Sequence, residues 1–302
     1  MIKQRSLKNA IRASGVGVHS GEKIEMVLHP APINTGIIFR RVDLNPAIEI
    51  PARIAYSEAS SFCTSLINHG ERVATIEHLL SAFSGLGIDN CIIDISSPEL
   101  PIMDGSASPF VFLIQSAGIA EQDAPKKFLR ITKSIEVKDG DKFAKLTPFH
   151  GFQVAFEIAF DHPAVKKTRQ SLTLDFSAAA YINAISRART FGFLSDYDTM
   201  KKKNLAKGAS LENTVVVDAD KVMNEDGLRY PDEFIKHKIL DVIGDLYLFG
   251  HNVIGAFTGY KSGHALNSQL MHAVLAQSDA WELITFDDEK NAPPCYHDPD
   301  SI

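Results

Sequence analysis

The chain has 302 residues, 45% of them hydrophobic, enough for one large core or two ordinary ones, which excludes a disordered or low-complexity protein. Its 31 basic and 37 acidic residues give a formal charge of −6, and no block of Lys or Arg resembles a nucleic-acid arm, so no nucleic-acid partner is expected. The segment Met1 to His19 lacks an apolar stretch of signal-peptide length, and no run approaches a bilayer-spanning helix; a soluble, cytoplasmic protein without an integral membrane segment is expected.

Ile24 to Leu28 alternates apolar and polar residues, and Ser65 to Val73 contains the turn signal Asn68-His69-Gly70, so the first third reads as β-rich. Cys63, Cys91 and Cys295 are odd in number and far apart, which implies neither a disulfide framework nor a Cys-x-x-Cys metal site; Cys63 and Cys91 read as core thiols. Thr75 is placed to cap a helix to about Ser84, with Gly85 and Gly87 as stop signals, before the apolar strand Cys91 to Ile95. Ser108-Pro109 opens another helix, ended by Gly118. Ala120 to Lys127 is polar and contains Pro125; it reads as the separator between a domain over 1–124 and one over 125–302.

A hairpin turns at Lys138-Asp139-Gly140-Asp141, and Phe152, Val154, Phe156, Ile158 and Phe160 alternate as a strand with one buried face. Ser177 to Ile185 is a short helix candidate. The longest helical pattern starts at Pro231-Asp232 and ends at Gly250; the strand Val253 to Tyr260 and a helix from Ser262-Gly263-His264 to about Leu275 follow. The order helix, Gly, apolar strand, Asp104-Gly105-Ser106, helix is thus met twice. Two halves on one plan are expected, each an antiparallel or mixed sheet covered by helices, an α+β design.

In the long helix, His237, Asp241 and Asp245 lie four apart and share a face. Buried, two carboxylates and an imidazole would need compensation, which a divalent cation supplies; the same spacing also fits the solvated edge of an amphipathic helix. Glu77-His78 opens the first helix, and two His, one carboxylate and an open position form a catalytic zinc arrangement. Glu77 equally suits the helix dipole, and His78 a satisfied core position. His264 stands at a strand-to-helix junction where a carboxylate, with Asp245 the candidate, would hold it protonated; a plain helix-start residue fits as well.

Ser186 to Phe193 combines two guanidiniums, a hydroxyl and paired aromatics, suited to anion contact and stacking, or else to an edge strand with surface arginines. Gly15 to Gly21 lacks the βαβ context of a dinucleotide loop and reads as a strand and turn. There is no H-E-x-x-H, and no Ser or Cys triad can be picked out. A zinc hydrolase of some other acylated amine, or a non-catalytic binder of sugar nucleotides or acyl chains, shares these features.

Taken together the segments resemble one family, the UDP-3-O-acyl-N-acetylglucosamine deacetylases of lipid A synthesis in Gram-negative bacteria. The resemblance runs through Met1 to Arg5, Gly15 to Gly21, Thr75 to His78, Pro101 to Ala107, Ser186 to Phe193, Asn224 to Arg229, the long-helix motif and Tyr260 to Asn267, nearly the whole chain. It implies two similar α+β sandwich domains with helices packed between two outer sheets, and a monomer that hydrolyses the acetamide of a UDP-linked acylated glucosamine, the committed step of the pathway. It also implies one catalytic Zn2+ held by His78, His237 and Asp241, from both halves. Glu77 would act as general base, with Thr190 and a His264 cation kept by Asp245 stabilising the oxyanion, and Glu77 or His264 protonating the leaving amine. Phe160 and Lys238 would contact the nucleotide end with Asp196 nearby, and Phe191 the substrate. An insert at about 191–216 would form an acyl passage faced by Tyr197, Ala206 and Leu211, with Asn204 and Ala209 where members often have glycine.

Overall fold

The computed structural model describes residues 1–59 and 62–297. The first half runs β1 (Lys3–Leu7), β2 (Ile11–Val16), β3 (Lys23–Pro30), β4 (Ile37–Arg41), β5 (Ile48–Pro51), β6 (Ser57–Ala59), β7 (Thr64–Asn68), β8 (Glu71–Ala74), α1 (Glu77–Leu86), β9 (Cys91–Ile95), α2 (Ser108–Ala117) and β10 (Ile119–Pro125). Its main sheet has the order β2-β3-β9-β4-β5, and β6-β7-β8 form a small separate one. The alternation read at Ile24 to Leu28 lies in β3, where Ile24, Met26 and Leu28 are fully buried and their neighbours are not. Asn68-His69-Gly70 turns β7 into β8, with His69 and Gly70 both left-handed.

The second half runs β11 (Phe128–Ile131), β12 (Ile135–Asp139), β13 (Lys142–Thr147), β14 (Phe152–Glu157), α3 (Pro163–Lys166), β15 (Ser171–Asp175), α4 (Ala178–Ala180), β16 (Phe191–Phe193), α5 (Leu194–Lys202), β17 (Val215–Val217), α6 (Glu233–Leu246), β18 (Asn252–Tyr260), α7 (His264–Ala276) and β19 (Trp281–Ile284). Within its sheet the path β12-β13-β18-β14-β15 is antiparallel at every step except β18 to β14. The first half repeats this, antiparallel along β2-β3-β9-β4-β5 except between β9 and β4. The helices follow suit: α1 precedes β9 and α2 follows it, as α6 and α7 flank β18. The protein is an α+β fold of two such units, and the repeated order seen in the sequence is one topology used twice.

Several local readings change. Thr75 does not cap α1; its φ is +59°, its hydroxyl reaches toward Glu99, and Ile76 stands at the cap. Gly87, left-handed, ends that helix, while Gly85 lies inside it, because the ring of Tyr181 occupies the space a side chain there would need. The polar stretch read as a separator is β10, paired antiparallel with β1. A two-stranded ribbon buries little, so alternation is not required of it. The Phe152 to Phe160 pattern is a strand only to Glu157, although Ile158 still donates to Gln170 across the ladder. Ser177 to Ile185 is helical, capped by the Ser177 side chain, with a π-helical last part. The long helix closes in a short 3₁₀ turn, Tyr247–Phe249, before left-handed Gly250.

The halves meet helix against helix. Gly244 of α6 lies on the backbone of Glu77 at the start of α1, so near that an added Cβ would sit 2.0 Å from the Glu77 carbonyl oxygen. No real contact is that short, so Gly244→Ala must push the helices apart. Overpacking of this kind costs about 1–3 kcal/mol. Urea denaturation should show that loss; an unchanged midpoint would mean the contact is looser than its geometry.

Candidate active site

The start of α1 and the middle of α6 bring His78, His237 and Asp241 together in the buried seam between the halves, each offering a ligand atom within 4.8 Å of the others. His78 Nε2 and His237 Nε2 lie 3.7 and 3.3 Å from Asp241 Oδ1, and the two imidazoles stand edge to face with centroids 5.0 Å apart. His237 Nδ1 faces the Ala188 carbonyl at 3.0 Å, which fixes that nitrogen as the donor and leaves Nε2 a lone pair. Asp241 Oδ2 accepts from Lys238 Nζ at 2.7 Å, whereas Oδ1, like His78 Nδ1, is buried with no hydrogen-bond partner. An unpaired buried carboxylate oxygen is costly, and a cation held by Oδ1 and the two facing Nε2 atoms relieves that cost.

Electrostatics agree with a ligand set. Burial, aided by the neighbouring His237, lowers His78 to about 3, and burial lowers His237 too against the pull of Asp241. Both rings are therefore neutral and able to ligate. Burial works against the Asp241 charge, but His237, Lys238, His264 and His78 together hold it well below the usual carboxylate range. At neutral pH both imidazoles are uncharged, so Lys238 is the nearest partner that holds Asp241 ionised. The solvated-edge reading of the stripe does not apply: His237, Asp241 and Asp245 are all buried.

Beside the group lie an acid and a base. Burial pushes Glu77 up to about 8 although the His264 charge pulls it down; its Oε2 accepts from the Thr64 backbone N–H at 3.0 Å, and its Oε1 lies 3.8 Å from His264 Nε2. Burial disfavours charge on His264 as well, yet Asp245, with Glu77 and Asp241, raises it to about 10. Asp245 Oδ2 lies 2.9 Å from His264 Nδ1 and accepts from Asn267 Nδ2 at 2.8 Å, while Oδ1 accepts from the Thr64 hydroxyl at 2.6 Å. The imidazole is thus held as a cation with Nε2 turned toward Glu77.

The group lies at one side of a cavity of about 500 Å³ between the halves. Strands β16 and β17 lie side by side in parallel, Phe191 to Val217, and α5 between them roofs part of the space. Thr190, Phe191, Asp196, Tyr197 and Ala206 all line it. Phe160 and Lys238 line it too, with Phe160 edge-on to Phe191 at 5.6 Å and Lys238 Nζ 5.7 Å from the Phe191 centroid. Leu211 does not line it. The turn from Ser210 to Asn213 carries Leu211 outward, 46% exposed, while the Asn224 amide holds its carbonyl. Asn204 and Ala206 are left-handed, the conformation glycine takes most easily, whereas Ala209 is not. Arg189 is no anion contact: its guanidinium is buried against Glu233, its Nε 2.9 Å from Oε1.

Three residues were not singled out from the sequence. Thr64 ties Glu77 to Asp245 and Asn267 braces Asp245. His19, from the glycine-rich segment read only as a strand and turn, lines the cavity with a buried, unpartnered Nδ1. Only that segment's unusual composition could have pointed to it.

A buried N, N, O donor set able to hold a cation, a carboxylate and an imidazolium within reach, and a largely apolar cavity together define a hydrolase for a substrate with an apolar part. The chain belongs to a particular family of that kind, the UDP-3-O-acyl N-acetylglycosamine deacetylases, whose family model matches residues 4–276. UDP-3-O-acyl-N-acetylglucosamine deacetylases from Coxiella burnetii strains Dugway 5J108-111 and RSA 493 / Nine Mile phase I are each 59% identical to it over 296 residues, 98% of this chain and 98% of theirs. Among the described residues no helix is long and apolar enough to cross a membrane.

Proposed function

We propose that this protein is a zinc-dependent amidohydrolase that converts UDP-3-O-acyl-N-acetylglucosamine to the free amine and acetate, acting in the cytoplasm as a monomer at the committed step of lipid A biosynthesis. The observation that carries the reading is the buried convergence of His78, His237 and Asp241, with Asp241 Oδ1 left unpaired. Two imidazole nitrogens and one carboxylate oxygen suit zinc and leave a coordination position open. Bound there, zinc supplies Lewis acidity toward the acetamide carbonyl and toward water.

The remaining work falls to side chains. Glu77, deprotonated, takes a proton from the water whose oxygen bonds to the acetyl carbon. The Thr190 hydroxyl and the His264 imidazolium stabilise the charge that develops on the carbonyl oxygen, and Asp245 holds that imidazolium. As the carbon–nitrogen bond breaks, His264 or Glu77 delivers a proton to the amine and acetate departs. Lys238 and Phe160, with Asp196 nearby, hold the nucleotide end; Phe191, Tyr197 and Ala206 line the way for the acyl chain. We place the boundary between the domains after residue 124, one residue before the end of β10.

Acetate release should stop on chelation and return with added zinc; release that survives exhaustive chelation would defeat the reading. The rate should also be bell-shaped in pH. It rises as Glu77, pushed up to about 8, loses its proton, and falls as His264, raised to about 10, loses its own. A cation at His78 would pull both limbs toward lower pH. His264→Gln should abolish the alkaline limb, and a basic limb that persists in that variant would remove His264 as its source.

A further inference from the structure

A second cleft opens at the seam of the halves, about 140 Å³ in volume, and it takes no part in the chemistry above. Gln4, Asn34 and Arg53 of the first half face Lys127, Gly250 and His251 of the second across it. Arg53 is the centre of the cleft. A Cβ on Gly250 would lie 1.0 Å from its Nη1, and one on Gly36 3.2 Å from its Nη2, so the guanidinium is seated between two left-handed glycines, one from each half. Nη1 donates to the Phe249 carbonyl at 3.2 Å; among the described residues no carboxylate lies within 4.0 Å of the guanidinium.

One acid, Asp89, also lines the cleft, and it is already paired. Asp89 Oδ1 accepts from Lys126 Nζ at 2.6 Å and Oδ2 from the Arg5 backbone N–H at 2.8 Å, so Lys126 balances its charge and each of its oxygens is engaged. Lys127 is exposed and makes no ion pair among the described residues. Burial lowers the Arg53 pKa, and burial with the charges of Arg53, Lys126 and Lys127 lowers His251 to about 4. A half-buried guanidinium without a counter-charge is costly, and planar donors of this kind match oxyanions.

We propose that this cleft binds a phosphate-sized oxyanion. Arg53 and Lys127 supply the charge, and the His251 ring and the Asn34 amide supply further polar contacts. The volume suits one phosphoryl group rather than a nucleotide, and the anion would tie the two halves together. That group could be free inorganic phosphate or the headgroup of an anionic lipid.

Isothermal titration of the full chain with inorganic phosphate tests it. One site should appear, weakened about tenfold or more in Lys127→Ala and in Arg53→Gln, while Lys127→Ala keeps the wild-type deacetylase rate. Phosphate should also raise the wild-type Tm, and less so in Lys127→Ala, whose exposed position makes misfolding no explanation. Absence of phosphate binding, or binding that neither substitution alters, overturns the proposal; in the latter case the anion sits elsewhere, for instance beside Lys238. Co-sedimentation with phosphatidylglycerol vesicles, lost in Lys127→Ala and competed by phosphate, assigns the group to a lipid; titration without sedimentation assigns it to a free solute.

Discussion

His237→Ala is expected to lose its metal and, with it, nearly all activity. Of the three proposed ligands, His237 has the most tightly fixed geometry, its Nδ1 facing the Ala188 carbonyl and its Nε2 3.3 Å from Asp241 Oδ1. Removing it leaves His78 and Asp241, on separate helices from separate halves, to hold the cation alone. Loss of a supporting outer partner of a metal site typically costs 10–100-fold, and loss of a ligand itself should exceed that. Turnover should fall by about a thousandfold or more, because Lewis-acid stabilisation of the transition state is worth several kcal/mol. Atomic absorption after gel filtration provides the check. Full zinc occupancy in the variant would remove His237 from the ligand set, whatever the rate.

Glu77→Gln should give the opposite separation, with metal kept and chemistry lost. A glutamine retains the size of the side chain and an oxygen that can accept from the Thr64 backbone N–H, so the start of α1 should stay in place. What disappears is the proposed base, and a positioned base contributes about 10²–10⁴-fold. The same change should alter stability in a defined direction. Burial raises the folded Glu77 pKa to about 8 from 4.5, so its protonated form favours the fold. That contribution is fully present below the unfolded pKa and is lost as pH rises through the folded one. Above about pH 8 the metal-free Glu77→Gln protein should therefore melt higher than the metal-free wild type. A lower Tm there, or a rate near that of the wild type, would contradict the assignment of Glu77.

What could be read from the sequence follows from how local each signal is. His237, Asp241 and Asp245 stand out because helical spacing alone puts them on one face, and Glu77-His78 because a carboxylate and an imidazole open a helix together. The repeated order of elements predicts the repeated sheet, since each half must cover its own apolar face. Thr64 is silent, for its hydroxyl meets Asp245 at a sequence separation of 181 residues and nothing local marks it. Arg189 misleads for the converse reason: two arginines near aromatics suggest an anion, but Glu233, 44 residues on, already supplies one. Strand β10 is hidden by its polarity, because a ribbon that buries little needs no alternation. Leu211 shows the limit of reasoning by segment, as a turn of a few residues decides which way one side chain points.

Strands β16 and β17 enter and leave the same place, Phe191 beside Val215. Between them run α5 and an irregular segment, its ends held by the Thr190 carbonyl, which accepts from Val215, and by the Asn224 amide, and its middle pinned where the Lys207 and Gly208 N–H groups donate to the His19 and Val18 carbonyls. Residues can be gained or lost between α5 and Lys207 without altering α1 or α6, the helices that carry His78, His237 and Asp241. If the cavity roofed by α5 takes the acyl chain as proposed, the tail length it admits is free to drift over generations while the bond that is cut stays the same.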